Sequence, residues 1–102
     1  MKKEKILFVL VRKDLRSKSQ QAVQGGHALA SYLLRYPDTW WNNGTLIYLS
    51  VGNEQELDSM VKILDKYNRE YTYFNEPDLN GQRTAIAVIG EKGDFSNYKL
   101  MK

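Results

Sequence analysis

The segment SQQAVQGGHALASYLLR (residues 19–35) lies between two apolar runs, ILFVLV (residues 6–11) and LIYLSV (residues 46–51). Both runs have the length and the β-branched or aromatic content of buried strands. The segment between them has room for almost five helical turns at ~3.6 residues per turn, and it must end before Pro37, because the residue preceding a proline avoids helical geometry. A strand, a helix and a strand in this order predict an α/β fold with helices packed on a largely buried sheet.

The rest of the chain adds one helix and two strands. Asn53 can cap the second helix, and acidic residues in its first turn favour the positive end of the helix dipole. Its buried face is predicted from four residues at helical spacing: Leu57, Met60, Val61 and Leu64. Further strands are predicted at residues 70–74 and 84–89, and the short connection between them favours antiparallel neighbours.

The predicted architecture is a single α/β domain over residues 1–102, in the order β-α-β-α-β-β, with a four-stranded mixed sheet packed by helices. A chain of 102 residues suits one compact domain. The tail after Gly90 is left open, since Tyr98 and Leu100 could dock on the domain.

The composition argues against several classes of protein. The chain has no cysteine and one histidine, so we expect neither a disulfide framework nor a metal site. No apolar run approaches the ~20 residues of a membrane span, and no signal-peptide cleavage site follows the first strand. We therefore expect a cytoplasmic protein without membrane association.

The helix of residues 19–35 sorts its side chains by chemistry. At ~100° per residue, one arc of about 80° carries two amides, an imidazole, a hydroxyl and a guanidinium. These polar residues are Gln20, Gln24, His27, Ser31 and Arg35. The other side carries Ala22, Val23, Gly26, Leu29, Ala30, Leu33 and Leu34. Because a helix buries an apolar stripe, we expect this second arc to face the sheet and the polar stripe to form a functional surface.

Three residues of this helix have alternative interpretations. His27 is either a catalytic acid, base or donor, or a partly buried, hydrogen-bonded histidine. Gly25 and Gly26 each cost roughly 1 kcal/mol against alanine inside a helix. Three explanations of that cost are open. A ligand or another backbone approaches the glycines closely, or the helix packs tightly on the sheet, above all at Gly26. Alternatively, the two glycines form a loop and the helix starts later.

Positive charge is concentrated at the start of the chain. Residues 1–36 contain eight Lys or Arg against two acids, a net charge of +6, while residues 37–102 have a net charge of −3. Four of the basic residues lead directly into the polar-striped helix: Arg12, Lys13, Arg16 and Lys18. A basic surface at this place suits a phosphate-rich partner such as a nucleic acid.

Two other segments carry candidate residues. The connection between the third and fourth strands is either a functional loop or an acidic hairpin turn. Its candidate residues are Glu76, Asp78, Arg83 and Thr84. The pair Trp40-Trp41 either covers the sheet edge or stacks on nucleic-acid bases. An exposed face that includes this pair could also form a homodimer.

Four motifs follow one another along the chain: RKDL at residues 12–15, QGGHA at residues 24–28, TAIAVIG at residues 84–90 and YKL at residues 98–100. In this combination the chain resembles the type II peptidyl-tRNA hydrolases, as a divergent member of the bacterial and phage kind. The resemblance implies an α/β domain of this size that hydrolyses the ester between a peptide and the terminal ribose of tRNA. It also implies that no metal or cofactor takes part.

The resemblance further implies roles for individual residues. Gln24, His27 and Thr84 match positions of the family's motifs and, together with Asp78, are the candidate catalytic residues. The candidate tRNA-binding residues come from the basic side chains and not from the motifs: Arg12, Lys13, Arg16, Lys18 and Arg83. The family has a lysine four residues before the motif glutamine, where this chain has Gln20. Its Asp-Ala-Gly loop is replaced by a shorter segment, in which Asp78 or Glu76 would supply the carboxylate.

Three functions are open on this basis, since one fold hosts many activities. The first is an esterase acting on peptidyl-tRNA. The second is a non-catalytic RNA- or nucleotide-binding module that keeps the fold without the lysine. The third is a protein-interaction domain whose basic face meets an acidic partner.

Overall fold

The strand β1 (Ile6–Arg12) lies at the centre of the sheet, and all seven of its residues are buried. Residues 4–101 of the chain are described here from a computed structural model. The other elements are α1 (Lys18–Arg35), β2 (Thr45–Val51), α2 (Glu54–Lys66), β3 (Tyr71–Glu76), a 3-10 turn (Pro77–Leu79), β4 (Gln82–Gly90) and β5 (Lys99–Leu100). The predicted α/β class is confirmed, together with the predicted succession of elements from β1 to β4.

The sheet is mixed and has five strands in the order β3-β4-β1-β2-β5. β1 is parallel to β2 and antiparallel to β4, and β3 is antiparallel to β4. The predicted four-stranded sheet is wrong by one strand, because Lys99 and Leu100 pair with Ser50 and Leu49 at the edge of β2. Two residues are too few to show a period-2 pattern, so no local signal in the sequence marks this strand.

Both helices begin at a side-chain cap. Ser17 Oγ accepts a hydrogen bond from the backbone N–H of Gln20 at 3.0 Å, and Asn53 Oδ1 accepts one from Glu56 at 3.0 Å. Each cap satisfies a backbone donor that has no partner within its helix. α1 is therefore helical from Lys18 onward, and the alternative of a loop at the paired glycines is wrong. The predicted face of α2 is confirmed: Leu57, Met60 and Leu64 are buried, and Val61 packs against them.

The two helices cover opposite faces of the sheet, and each closes its own hydrophobic cluster. The α1-side cluster contains Leu7, Val9, Val11, Leu15, Ala28, Tyr32, Ala85 and Ala87. The α2-side cluster contains Ile6, Phe8, Leu10, Leu49, Val51, Leu57, Met60, Leu64, Ile86 and Val88. Successive residues of β1 and β4 thus point to alternate faces. The radius of gyration of 12.8 Å is that of one compact domain, and no helix within residues 4–101 is long and apolar enough to cross a membrane.

The face that α1 turns to the sheet differs from the predicted apolar arc. Its buried residues are Gln21, Gln24, Gly25, Ala28 and Tyr32. By contrast, Leu34 is 84% exposed and Val23 is 55% exposed. The prediction is wrong because the sheet here needs small side chains for close approach and can bury polar groups that find hydrogen-bond partners. Tyr32, for example, is fully buried with its hydroxyl 3.2 Å from Thr39 Oγ1.

The closest approach of α1 to the sheet occurs at Gly25. A Cβ added there would lie 2.6 Å from Tyr48 Cε2 and 3.0 Å from Val11 Cγ2. A Cβ added at Gly26 would meet no atom within 4 Å. Tight helix–sheet packing therefore explains Gly25, and the expectation that it falls above all on Gly26 is wrong.

Candidate functional site

Thr84 lies at an irregularity in the pairing of β3 with β4. Phe74 pairs with Ala85 and Asn75 pairs with Arg83, so Thr84 has no partner residue on β3. An extra residue of this kind bends its strand and changes the direction of a side chain. The Thr84 hydroxyl points to the α1 face, where it is fully buried.

Gln24 and Thr84, which lie 60 positions apart in the chain, meet in a buried hydrogen bond. Thr84 Oγ1 donates to Gln24 Oε1 at 2.6 Å, and it lies 3.3 Å from the carbonyl oxygen of Phe74. Gln24 is 3% exposed. Because the hydroxyl proton occupies Oε1, the amide NH₂ is the part of Gln24 that can donate to another group. The contact thus fixes the orientation of one amide donor.

His27 follows Gln24 by one helical turn and stacks on β3. Its ring lies 4.4 Å from the ring of Phe74, with an angle of 15° between the planes. The His27 side chain is exposed, so the interpretation of a partly buried histidine is wrong. A stacked ring has a restricted orientation, so the contact with Phe74 limits how the imidazole can turn.

Asp78 lies in the 3-10 turn between β3 and β4. Leu79 packs against the α1-side cluster, which brings this turn to the same face of the sheet as Gln24. Asn80 and Gly81 close the turn with positive φ angles of 58° and 74°, and Gly81 N–H donates to the Glu76 carbonyl at 2.9 Å. The Asp78 carboxylate is exposed and has no hydrogen-bond partner within residues 4–101.

Arg12 is held in a network at the end of β1. Its guanidinium donates to both carboxylate oxygens of Asp14 at 2.9 and 3.1 Å, to Gln82 Oε1 at 3.0 Å and to the Arg83 carbonyl at 3.2 Å. The hydrogen bonds to Asp14 raise the pKa of Arg12 further, although burial works against them. Arg12 is 8% exposed, so its contacts join the end of β1 to the start of β4.

Three other basic residues line the connection from β1 to α1. Lys13, Arg16 and Lys18 are all exposed. The backbone at Lys13 is anchored on both sides: its N–H donates to the Val51 carbonyl at 2.8 Å, and its carbonyl accepts from Gln21 Nε2 at 3.3 Å. The segment is therefore held at the ends of β1 and β2 with its cationic groups in solvent.

Arg83 lies on the opposite face of the sheet from Gln24. Its Nη1 donates to Asp58 at 2.6 Å, and its guanidinium carbon lies 4.3 Å from the ring centre of Tyr73. The backbone N–H of Arg83 donates to the Glu54 carboxylate at 2.7 Å. These contacts fasten β4 to α2. The structure therefore brings Gln24, His27 and Thr84 together and separates Arg83 from them.

The two tryptophans have different environments. Trp41 packs against the α1-side cluster, and its Nε1 donates to the Thr45 carbonyl at 2.9 Å. Trp40 is 85% exposed. The covering role thus belongs to Trp41 alone, and a homodimer through a face that includes the pair stays a prediction.

Phe74 is the residue of this site that the sequence analysis did not identify. Its ring stacks on the imidazole of His27, and its carbonyl oxygen lies beside the hydroxyl of Thr84. The available signal was its position at the predicted end of the third strand, two residues before Glu76. A strand pattern alone does not distinguish this phenylalanine from one that only fills the core.

Comparison with known proteins brings up no matching family model and no matching curated protein.

Proposed function

We propose that this protein hydrolyses the ester bond that joins a peptide, or an N-blocked amino acid, to the terminal ribose of tRNA. The observation that supports this proposal most is the buried 2.6 Å contact between Gln24 and Thr84. These are the two positions that the resemblance to type II peptidyl-tRNA hydrolases connects with an active site. Their meeting gives the two motifs a common location at the α1 face of β4.

In this proposal Gln24 stabilises the charge that develops on the ester oxygen. Attack by water turns the carbonyl oxygen into an oxyanion, and a pre-oriented amide NH₂ lowers the energy of that state. Thr84 is fully buried, so it acts as a positioning residue that holds Oε1 and leaves the NH₂ to donate. A donor that is already oriented does not have to reorganise during the reaction.

The attacking water needs a group that takes its proton. His27 is exposed one turn from Gln24, and Asp78 is exposed in the turn whose Leu79 packs on the same face of the sheet. As the water oxygen bonds to the carbonyl carbon, the base takes one proton. The bond between carbonyl carbon and ribose oxygen then breaks, and the proton passes to the ribose oxygen as it leaves.

Lys13, Arg16 and Lys18 supply the contact with tRNA phosphates in this proposal. Their side chains are exposed at the end of β1 that leads into α1. We assign Arg12 a structural role instead, because its donors are occupied by Asp14 and β4. Binding through three phosphate contacts predicts an affinity that falls steeply as salt rises.

A second candidate is an RNA-binding module without catalysis, and one contact favours it. Gln20 occupies the place of the family lysine, and its Oε1 accepts a hydrogen bond from the backbone N–H of Arg16 at 3.0 Å. Where the family has a cationic lysine, the side chain of Gln20 supports the start of α1. This candidate predicts salt-sensitive RNA binding with no turnover.

The test is release of an N-blocked amino acid from tRNA by the purified protein. Gln24→Ala is expected to lower kcat by about 10²-fold or more, as for the loss of one oxyanion donor, and His27→Ala by about 10²-fold if it is the base. Thr84→Val keeps the side-chain shape and removes the hydroxyl, so we expect its loss of kcat to be similar to that of Gln24→Ala. Gln55→Ala, an exposed glutamine on α2, is the matched control and should keep the wild-type rate.

The outcomes separate the two candidates. Wild-type turnover in Gln24→Ala would contradict the role given to this amide. No turnover by folded wild-type protein that still binds tRNA would favour the RNA-binding module. Absence of both turnover and tRNA binding would overturn both candidates.

A further inference from the structure

A groove lies where the paths of β1 and β2 diverge. The two strands are parallel neighbours, but α1 follows β1 onto one face of the sheet and α2 follows β2 onto the other. Chain paths that leave adjacent parallel strands in opposite directions open a crevice beyond the strand ends, and ligands of α/β proteins bind at such points. Here the crevice is a groove of about 790 Å³.

Three lysines from different parts of the chain line this groove. Lys13 follows β1, Lys18 begins α1, and Lys99 belongs to β5. None of the three ammonium groups forms an ion pair with a carboxylate of residues 4–101. The first turn of α1 has no acidic residue to offset its positive end. The lysines therefore leave uncompensated positive charge at one place.

The groove contains one acidic side chain, whose carboxylate has a defined partner. Glu56 accepts a hydrogen bond from the backbone N–H of Gly52 at 2.7 Å. With one carboxylate against three ammonium groups, the lining has a net charge of +2. The groove is thus electrostatically suited to an anion.

The remaining lining combines an aromatic ring with small polar groups. Tyr98 is half-buried and packs at the edge of the α2-side cluster, and burial raises the pKa of its hydroxyl, with the charge of Glu56 adding to the effect. Gln21, Ser50 and Asn97 provide amide and hydroxyl groups. An aromatic surface beside lysines matches a planar base attached to a phosphate.

We propose that this groove binds a nucleotide, with its phosphate at Lys13, Lys18 and Lys99 and its base against Tyr98. The nucleotide is either a free mononucleotide or one unit of a single-stranded RNA, since both present the same phosphate and base. The groove is separate from Gln24 and Thr84, neither of which lines it. It shares Lys13 and Lys18 with the proposed tRNA contacts but does not depend on ester hydrolysis.

The test is a titration of the ¹⁵N-labelled protein with adenosine 5′-monophosphate, a single-stranded pentaadenylate and inorganic phosphate. Backbone amide shifts are expected at Ser50, Gly52 and Lys99. Tighter binding of the monophosphate identifies a free nucleotide as the ligand, and tighter binding of the pentaadenylate identifies single-stranded RNA. Equal affinity of inorganic phosphate and both nucleotides would overturn the role given to Tyr98.

Two substitutions with opposite expected signs make the test sharper. Lys99→Gln removes one cation and should weaken nucleotide binding about five-fold, whereas Glu56→Gln keeps an acceptor for Gly52 and should strengthen it about three-fold. Lys62→Gln changes an exposed lysine of α2 outside the groove and should leave the affinity unchanged. A general loss of structure would not strengthen binding, so the gain in Glu56→Gln is specific to the electrostatic argument.

The result that would overturn the proposal is the absence of groove shifts with either nucleotide, or an affinity in Glu56→Gln at or below that of the wild type. Gln24→Ala separates this proposal from the hydrolase. It should bind nucleotides as the wild type does even where its ester hydrolysis is lost. Nucleotide binding that disappears in Gln24→Ala would place the ligand at the α1 face of β4 instead.

Discussion

The paired glycines of α1 allow a direct test of how closely this helix packs on the sheet. A Cβ at Gly25 would lie 2.6 Å from Tyr48 Cε2, 3.0 Å from Val11 Cγ2 and 3.1 Å from Val9 Cγ1. Both valines are fully buried in the central strand, and β-branched side chains have little rotamer freedom. Gly25→Ala therefore forces either the helix or the strand to move. Gly26→Ala introduces the same methyl group with no atom within 4 Å.

The two substitutions should change the free energy of unfolding in opposite directions. Alanine gains about 1 kcal/mol over glycine inside a helix, and this gain applies at both positions. At Gly25 the extra methyl group also overpacks the interface, at a cost of about 3 kcal/mol, the upper end of the usual range, because two of its three neighbours cannot turn away. We expect a net loss of about 2 kcal/mol for Gly25→Ala and a gain of about 1 kcal/mol for Gly26→Ala.

Urea unfolding followed by tryptophan fluorescence measures both effects. With a slope of about 1 kcal/mol per M, the midpoint should fall by about 2 M in Gly25→Ala and rise by about 1 M in Gly26→Ala. The slopes themselves should match the wild type, which shows that the unfolding transition is unchanged. Equal stability of the two variants would refute the close approach of α1 to Tyr48, Val11 and Val9.

Three further predictions concern buried or paired polar groups. Burial, together with a hydrogen bond donated to Asp65 at 2.5 Å, raises the pKa of Tyr71 to about 12. The neutral form of Tyr71 therefore contributes stability that is complete below pH 10 and is lost as the pH rises through 12. Tyr71→Phe should remove this part of the pH dependence of stability and the last tyrosine step of an ultraviolet titration. Thr84→Val leaves the carbonyl oxygen of Gln24 without its donor and should lower the free energy of unfolding by about 1–3 kcal/mol, whereas an unchanged urea midpoint would contradict the contact. Arg12→Leu leaves Gln82 Oε1 and the Arg83 carbonyl without their donor, whereas the Asp14 carboxylate that remains is 41% exposed, so the substitution should cost about 1–3 kcal/mol. The same unfolding experiment measures this loss, and wild-type stability would show that the network has no structural role.

Several features of the fold depend on local chemistry and are readable in the sequence. Asn53 supplies a cap wherever a helix follows it, and Leu57, Met60 and Leu64 share one side of a helix by spacing alone. Because β1 is buried on both faces, nearly all of its residues are apolar, and this continuous apolar run predicts a buried strand. Element order and class follow from such signals.

The candidate site was predictable in identity but not in arrangement. The motif residues Gln24, His27 and Thr84 were identified from the sequence, and the structure brings the three together. Their burial differs from the prediction, since Gln24 lies in the interface with the sheet and not on an exposed polar stripe. The reason is that a glutamine becomes buried when a partner such as the Thr84 hydroxyl satisfies it, and that partner is 60 positions away.

The sequence by itself determined the order of the elements from β1 to β4, the cap of α2 and the buried face of that helix, because these depend on spacing and on neighbouring residues. Only the tertiary structure decided which side of α1 meets the sheet, where the bulge at Thr84 falls and that Lys99 joins Lys13 and Lys18 beside β2. Each of these depends on contacts between distant segments. Only after those segments have packed together can there be a hydrogen bond between them, a close approach of 2.6 Å at Gly25 or the pairing of a two-residue strand.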